Sequence, residues 1–280
     1  SMRQAALARM MVGRDVLFRL ERKPLEQGPE VLKVEHARAR NDRGLAALSG
    51  LSLSVHAGEI LGIAGVAGNG QVELAECIAG LRRLTEGRVV VCGTDVTNAA
   101  PCTLMAAGVA YIPADRLGVG LVPNLSTVDN AILHKYRQTG MCRGMFVDYG
   151  AACTYTETLI ERFDISVPLA RAPVKVLSGG NMQKLLLARE IDQQPRLLIA
   201  EHPTRGLDVG ATEFVHKTLL TQRDQGVAVL LISEDLDEIL MVADRVAVMY
   251  EGRIMGIVDA HDADIEQIGL MMAGAVSAHV

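Results

Sequence analysis

The sequence predicts an α/β fold: a core with a mainly parallel sheet, an antiparallel β lobe near the N-terminus, and a helical lobe inserted at roughly residues 120 to 175. Two observations carry this. The apolar run Ile60–Ala64 leads into a glycine-rich segment and an amphipathic helix from Val72 to about Leu81, and Leu197–Ala200 and Val227–Ile232 are further apolar runs of strand length. Between them, helical periodicity dominates from Val128 to Phe163, interrupted near Gly140 to Gly150.

Composition narrows the function classes. At 280 residues the chain is long enough for one large domain with an inserted lobe, and its formal net charge of -5 argues against a nucleic-acid-binding surface. The five cysteines are odd in number and form no CxxC pair, so they read as free thiols. The longest uncharged run, Thr97 to Ala114, carries Pro101, Gly108 and Pro113 and is rejected as a membrane span. No signal-peptide pattern is visible, and Ser1 before Met2 reads as an expression remnant.

Residues 1–30 do not read as the start of a domain. Ala5 to Met11 is helical in pattern, and Arg22 to Glu30, with Pro24, Gly28 and Pro29, is a linker. Met10-Met11-Val12-Gly13 echoes Met271-Met272-Ala273-Gly274, which suggests the end of a preceding copy of the domain that occupies 31–280. Val31–Val34 and Leu51–Val55 are strand candidates, and Ile60–Ala64 runs into Gly65-Val66-Ala67-Gly68-Asn69-Gly70-Gln71-Val72-Glu73.

Strand, glycine loop and helix, with Gly65 and Gly70 at the G-x-x-x-x-G spacing, predict a phosphate-cradling nest and a core of the P-loop NTPase type. The lysine that would meet the β- and γ-phosphates is Gln71, the hydroxyl that would hold Mg²⁺ is Val72, and Glu73 adds a repelling charge. Two readings stand level: a phosphate loop kept as scaffold, and weak, unproductive nucleotide binding. Arg88–Val91 and Val109–Ile112 read as strands, Ser126-Thr127-Val128-Asp129 as a capping-box-like helix start, and Val246–Met249 with Arg253–Ile257 as a hairpin around Glu251-Gly252.

Leu177-Ser178-Gly179-Gly180-Asn181-Met182-Gln183-Lys184 opens a run, Gln183 to Ile191, that reads as helix. A hydroxyl and two glycines at a helix start present N–H groups to an oxyanion, although Ser-Gly-Gly alone is more often an ordinary capped turn. The whole octapeptide resembles the signature motif of the ATP-binding-cassette (ABC) ATPases, and the resemblance covers about residues 31 to 275. In that family the signature closes over the γ-phosphate of ATP held by a partner domain. Gly65–Gln71 and Pro203–Ala211 look most like the second cassette of tandem ATPases that power bacterial importers of simple sugars or nucleosides, the nucleoside branch being the nearer.

The resemblance implies further roles. ATP and Mg²⁺ are the cofactors, mainly at the partner's site. Leu177, Ser178, Gly179, Gly180, Asn181, Met182 and Gln183, with Asp208, would act in trans; Gly65, Gly68, Asn69, Gly70, Gln71 and Val72 form the chain's own degenerate loop. The family's Mg²⁺-shell aspartate is Glu201, a weak metal candidate, its base glutamate is His202, and its switch histidine is Glu234. His202 reads as a structural histidine ahead of a base. The adenine-stacking aromatic is missing from His36 to Leu48, and the relay glutamine after Val109–Ile112 is replaced by Ala114 or Asp115. Implied partners are a first cassette of the same tandem chain, membrane permease subunits met by the helical lobe and, indirectly, a periplasmic or lipoprotein substrate-binding protein; nucleic acid is not among them. The implied place is the cytoplasmic face of the membrane. Alternatives are a non-transport cassette protein of ribosomes or DNA repair, and a purely structural docking cassette.

Overall fold

The computed structural model describes residues 28–136, 140–144, 146–169 and 171–275. The helix expected at Ala5–Met11, the Met10–Gly13 echo and most of the linker lie outside them. The described chain forms two compact units, one of residues 28–111, 195–202 and 216–275, the other of Ile112–Gln194 and Pro203–Val215.

The first unit holds the sheets. Strands β1 (Glu30–Arg40), β2 (Ala46–His56), β4 (Glu86–Val91) and β5 (Thr94–Asp95) form an antiparallel sheet in the order β2-β1-β4-β5. The sequence predicts β1 only as far as Val34. It continues because Ala37 and Ala39 are buried while Arg38 and Arg40 face outward, the period-two pattern of a half-covered strand. Arg38 pairs there with Glu86 at 3.2 Å, and Arg40 donates to the Gly44 carbonyl, both at the surface.

Strands β3 (Ile60–Ala64), β9 (Leu197–Glu201) and β10 (Ala228–Ser233) are buried at every position, as expected of parallel strands covered on both faces. With β6 (Val109–Ile112), β11 (Arg245–Tyr250) and β12 (Arg253–Asp259) they make a six-stranded sheet in the order β12-β11-β3-β10-β9-β6. β3 pairs in parallel with β10 and β11, β10 pairs in parallel with β9, and the predicted β11–β12 hairpin turns back antiparallel. Leu61, Ile63, Leu230, Ile232 and Met249 share one buried cluster with Leu74 and Ile78 of helix α1 (Gln71–Ile78). That helix stops short of the predicted Leu81 because Gly80 turns left-handed (φ 75°) and ends it. Two short helices, α2 (Pro101–Ala106) and α7 (Leu236–Val242), and α8 (Ile265–Met272) complete the unit. No helix of the described residues is long and apolar enough to cross a membrane.

In the second unit, helix α3 (Thr127–Ile132) begins at the predicted capping box. Asp129 N donates to Ser126 Oγ at 3.0 Å, and Ser126 N donates back to Asp129 Oδ2 at 3.2 Å. The chain leaves α3 at Ile132, earlier than the helical pattern predicts, and in the interruption expected near Gly140 to Gly150 it makes a small hairpin of β7 (Cys142–Arg143) and β8 (Phe146–Val147). It re-enters helix α4 at Tyr149–Arg162, capped by Asp148. Val128, Ile132 and Ala152 pack together between α3 and α4. Helix α5 (Gly179–Ile191) starts four residues earlier than the predicted Gln183. Glycine in a helix costs about 1 kcal/mol against alanine, and a serine cap returns about the same. At Gly180 a Cβ would stand 3.1 Å from that of Ala211, so the glycine leaves room for that neighbour. Helix α6 (Val209–Asp224) follows β9 along the chain.

Candidate functional site

The glycine loop joins β3 to α1. Gly70, in the left-handed region at φ 105°, stands at the helix N-cap, and a Cβ there would come within 2.3 Å of the Ala47 carbonyl. Behind it Gln71 is 5% exposed and folds back into the loop, where Nε2 donates to the Val66 carbonyl at 3.0 Å. A Cβ on Gly65 would stand 2.6 Å from that same Nε2, so the glycine leaves the space that the amide fills. Val72 faces outward and has no oxygen to offer a cation. Asn69 fastens the loop to the β11–β12 turn: its side chain accepts from Glu251 N, and its carbonyl from Gly252 N, each at 2.9 Å. Beside the loop lies a cavity of about 310 Å³ whose lining includes Asn41, Ser49, Glu73 and Glu251. Neither Asn69's tie nor Glu251's place in the cavity is readable locally, since 182 residues separate the bonded pair.

The ends of β9 and β10 bring together three of the predicted positions. Glu201, 4% exposed, accepts the hydroxyl proton of Tyr111 on Oε2. Burial first, and then the charge of Glu201, push the Tyr111 phenol well above its ordinary pKa, so it stays a donor. The predicted metal candidate therefore has one oxygen already committed. His202 adopts φ 43°, its N–H donates to the Ile232 carbonyl at 2.7 Å, and its ring Nε2 lies 3.9 Å from Glu234 Oε1. The pair forms because β9 and β10 run parallel with Glu201 beside Ile232. The resemblance puts Glu234 at the switch-histidine position, and the structure gives it an imidazole neighbour in His202.

The second unit carries the signature. Ser178 caps α5, and its Oγ accepts from Asn181 N at 3.3 Å and from Asn181 Nδ2 at 2.9 Å. Two donors on one hydroxyl oxygen leave its own proton to point at an acceptor. Asn181 is held in turn by Ser166 N, which donates to Oδ1 at 2.8 Å. Gly179, Gly180 and Met182 are partly exposed beside the exposed Ser178, at a helix start whose first N–H groups have no intrahelical acceptor. Leu177 and Gln183, placed by the sequence among the contact residues, are buried at 6% and 1% exposure and face the interior. Asp208 begins α6, accepting from Ala211 N at 2.9 Å, and its Oδ2 lies 3.9 Å from where a Gly180 Cβ would stand. Sequence reasoning missed Arg116. Its Nε donates to Gln183 Oε1 at 2.7 Å and its Nη2 donates to the Arg205 carbonyl, with only a cation after a strand as a signal.

Residues 48–205 match the family described as ABC transporter. The chain is 47% identical over 273 residues to the glucose import ATP-binding protein TsgD13 of Haloferax volcanii, covering 97% of this chain and 50% of that protein. It is 43% identical over 272 residues to the guanosine import ATP-binding protein NupO of Bacillus subtilis, covering 97% and 53%. The nucleoside import ATP-binding protein NupA of Lactococcus lactis is 42% identical, covering 96% and 53%. The chain thus spans about half the length of these relatives. Among solved structures, the ADP conformation of the ATP-binding cassette MJ1267 superposes with a TM-score of 0.67 at 23% identity, covering 88% of this chain and 95% of that one. The P-loop cassette fold is shown by that likeness.

Proposed function

The chain belongs to the ABC transporter family, and from that premise we propose that it is the second cassette of a tandem ATPase, lending its signature to ATP held by the first. Its own phosphate loop is degenerate in this reading. One observation carries it: the Gln71 amide is folded into its own glycine loop and bonded to Val66, where a phosphate would lie. The surrounding residues do not fit a Mg²⁺-triphosphate. Val72 has no oxygen, Glu201 is tied to Tyr111, and Glu73 and Glu251 place two carboxylates on the adjoining cavity. The parts that would act across an interface are, by contrast, in place and exposed: Ser178, with its proton free to donate, and the glycines that follow it. Imidazole and carboxylate at 202 and 234 exchange the residue types that the resemblance leads one to expect there.

The relatives' printed roles are import of glucose, guanosine and nucleosides. We therefore assign this chain to import of a simple sugar or nucleoside, at the cytoplasmic face of the membrane. Permease subunits would meet the helical lobe, and a separate substrate-binding protein would deliver the cargo. These names speak against the ribosome and repair alternatives, and the intact Ser178-Gly179-Gly180 speaks against a purely structural docking cassette.

Two measurements test the reading. The chain alone, with Mg²⁺ and saturating ATP, is expected to release phosphate no faster than a buffer blank, because hydrolysis depends on positioning and charge stabilisation that its own loop lacks. Steady turnover well above the blank refutes a single hydrolytic site. In the full-length protein, Ser178→Arg is expected to abolish turnover by setting a bulky cation at the start of α5; retained activity shows that this signature is not used in trans.

A further inference from the structure

We propose that Arg116 is a positioning residue that holds the start of α5 and the 203–208 loop as one unit. The inference rests on the trans reading above and names the side chain that keeps that surface in register.

The turn at 115–120 is closed on itself by its own hydrogen bonds. Asp115 caps it, accepting from Leu117 N at 3.1 Å, and a Cβ on Gly118 would stand only 2.5 Å from Asp115 Oδ2. Gly120 N donates to the Asp115 carbonyl at 3.0 Å and Leu121 N to that of Arg116 at 2.7 Å, closing a single π-type turn over Arg116–Gly120. The turn exposes Leu117 and Val119, while Gly120 is buried with its Cβ position 3.0 Å from Leu186 of α5. Arg116 is the side chain that leaves the turn inward.

Its two bonds go to the two elements that matter. Gln183 lies one helical turn after Gly179 and Gly180, on the same side of α5. Its amide is 1% exposed, and Nε2 finds no hydrogen-bond partner among the described residues, which leaves the Oε1 bond from Arg116 as the contact that orients it. The other bond, to the Arg205 carbonyl, holds the backbone immediately before Gly206, Leu207 and Asp208. A guanidinium is a rigid planar fork, so fixing one prong on Gln183 and another on Arg205 fixes the two acceptors relative to each other. The phosphate-facing turn of α5 and Asp208 are thereby set at one spacing. A lysine offers a single nitrogen on a flexible stem and cannot hold both in the same geometry.

The test compares Arg116→Met and Arg116→Lys by amide hydrogen exchange on this chain and by ATP turnover of the full-length protein in its reconstituted transporter, with Ser178→Arg alongside. We expect Arg116→Met to keep the parent's circular dichroism and to speed exchange at 179–183 and at 206–208 together, each by about tenfold. Turnover should show kcat falling roughly ten- to a hundredfold while KM for ATP moves less than about threefold, the signature of misplaced groups rather than lost binding. Arg116→Lys should fall between parent and Met; if the Met variant does not fold, the Lys variant is judged by the same two readouts. Exchange that rises at one segment alone, or a kcat equal to the parent's, overturns the proposal. If Ser178→Arg leaves turnover intact, the trans reading fails by itself, and the paired exchange on this chain still decides the role of Arg116.

Discussion

Gln71→Lys alone should raise nucleotide affinity without producing hydrolysis. In the parent, one neutral hydrogen bond of 3.0 Å holds the amide in the loop, a bond whose net contribution is about 1 kcal/mol. The lysine loses that arrangement and sets an ammonium at a site only 5% exposed. Without ligand the variant should therefore be destabilised by about 1–3 kcal/mol. A phosphate recovers this and more, since a charge-assisted bond is worth roughly 1.5 to 3 kcal/mol. At about 1.4 kcal/mol per decade, that is a ten- to hundredfold gain in affinity. Turnover should not follow, because Val72 still offers no oxygen, Glu201 is still bonded to Tyr111, and His202 still faces Glu234 at 3.9 Å. The assay is calorimetric nucleotide binding and phosphate release on one preparation, in a full-length protein whose other phosphate loop is disabled. Hydrolysis by this variant refutes the reasoning and makes His202 or Glu234 a competent base.

Ser126→Ala removes the Oγ that accepts from Asp129 N, leaving the backbone N–H to Asp129 half of the box in place, and should lower stability by about 1 kcal/mol in a urea melt; an unchanged midpoint would mean that α3 does not need its cap. Asp192 gives a pH dependence. Burial works to raise its pKa, but hydrogen bonds from Lys135, Tyr155 and Arg162 outweigh this and hold it below the ordinary carboxylate value. A depressed folded-state pKa contributes stability that is present above the unfolded value, about 3.9, and is lost as pH falls through the folded value. The parent should therefore lose stability below about pH 4 more steeply than Asp192→Asn. Parallel acid titrations by circular dichroism check this, and coincident curves would remove Asp192 from the acid response.

What the sequence revealed was what neighbouring residues settle among themselves. The G-x-x-x-x-G spacing, the Ser126 box, the Ser178 cap and the Glu251-Gly252 turn are each decided within a few positions, and each is found where expected. The second half of β1 was hidden because Arg38 and Arg40 mask an alternation carried only by two alanines. Helix α6 was missed because its length is fixed by packing at Val215 and Leu219 rather than by a marked apolar stripe. The site contacts that went unread join neighbouring strands of the sheet: Tyr111 of β6 to Glu201 of β9, and His202 to Glu234 beyond the parallel ends of β9 and β10. Arg116 belongs to the same class, reaching 67 residues along the chain to Gln183.

The filled glycine loop also bears on how the protein answers the energy state of the cell. A protein that binds a ligand only when folded gains stability with the logarithm of ligand concentration, so an ordinary phosphate loop makes its domain sturdier when ATP is plentiful and weaker when it is scarce. If the Gln71 amide, bonded to the Val66 carbonyl, keeps ATP out as proposed, mass action has little to grip in this loop. The folding equilibrium of this half would then be nearly the same in a starved cell as in a fed one. Such a half would hold its shape as a fixed jaw while a concentration-sensitive partner opens and shuts against it.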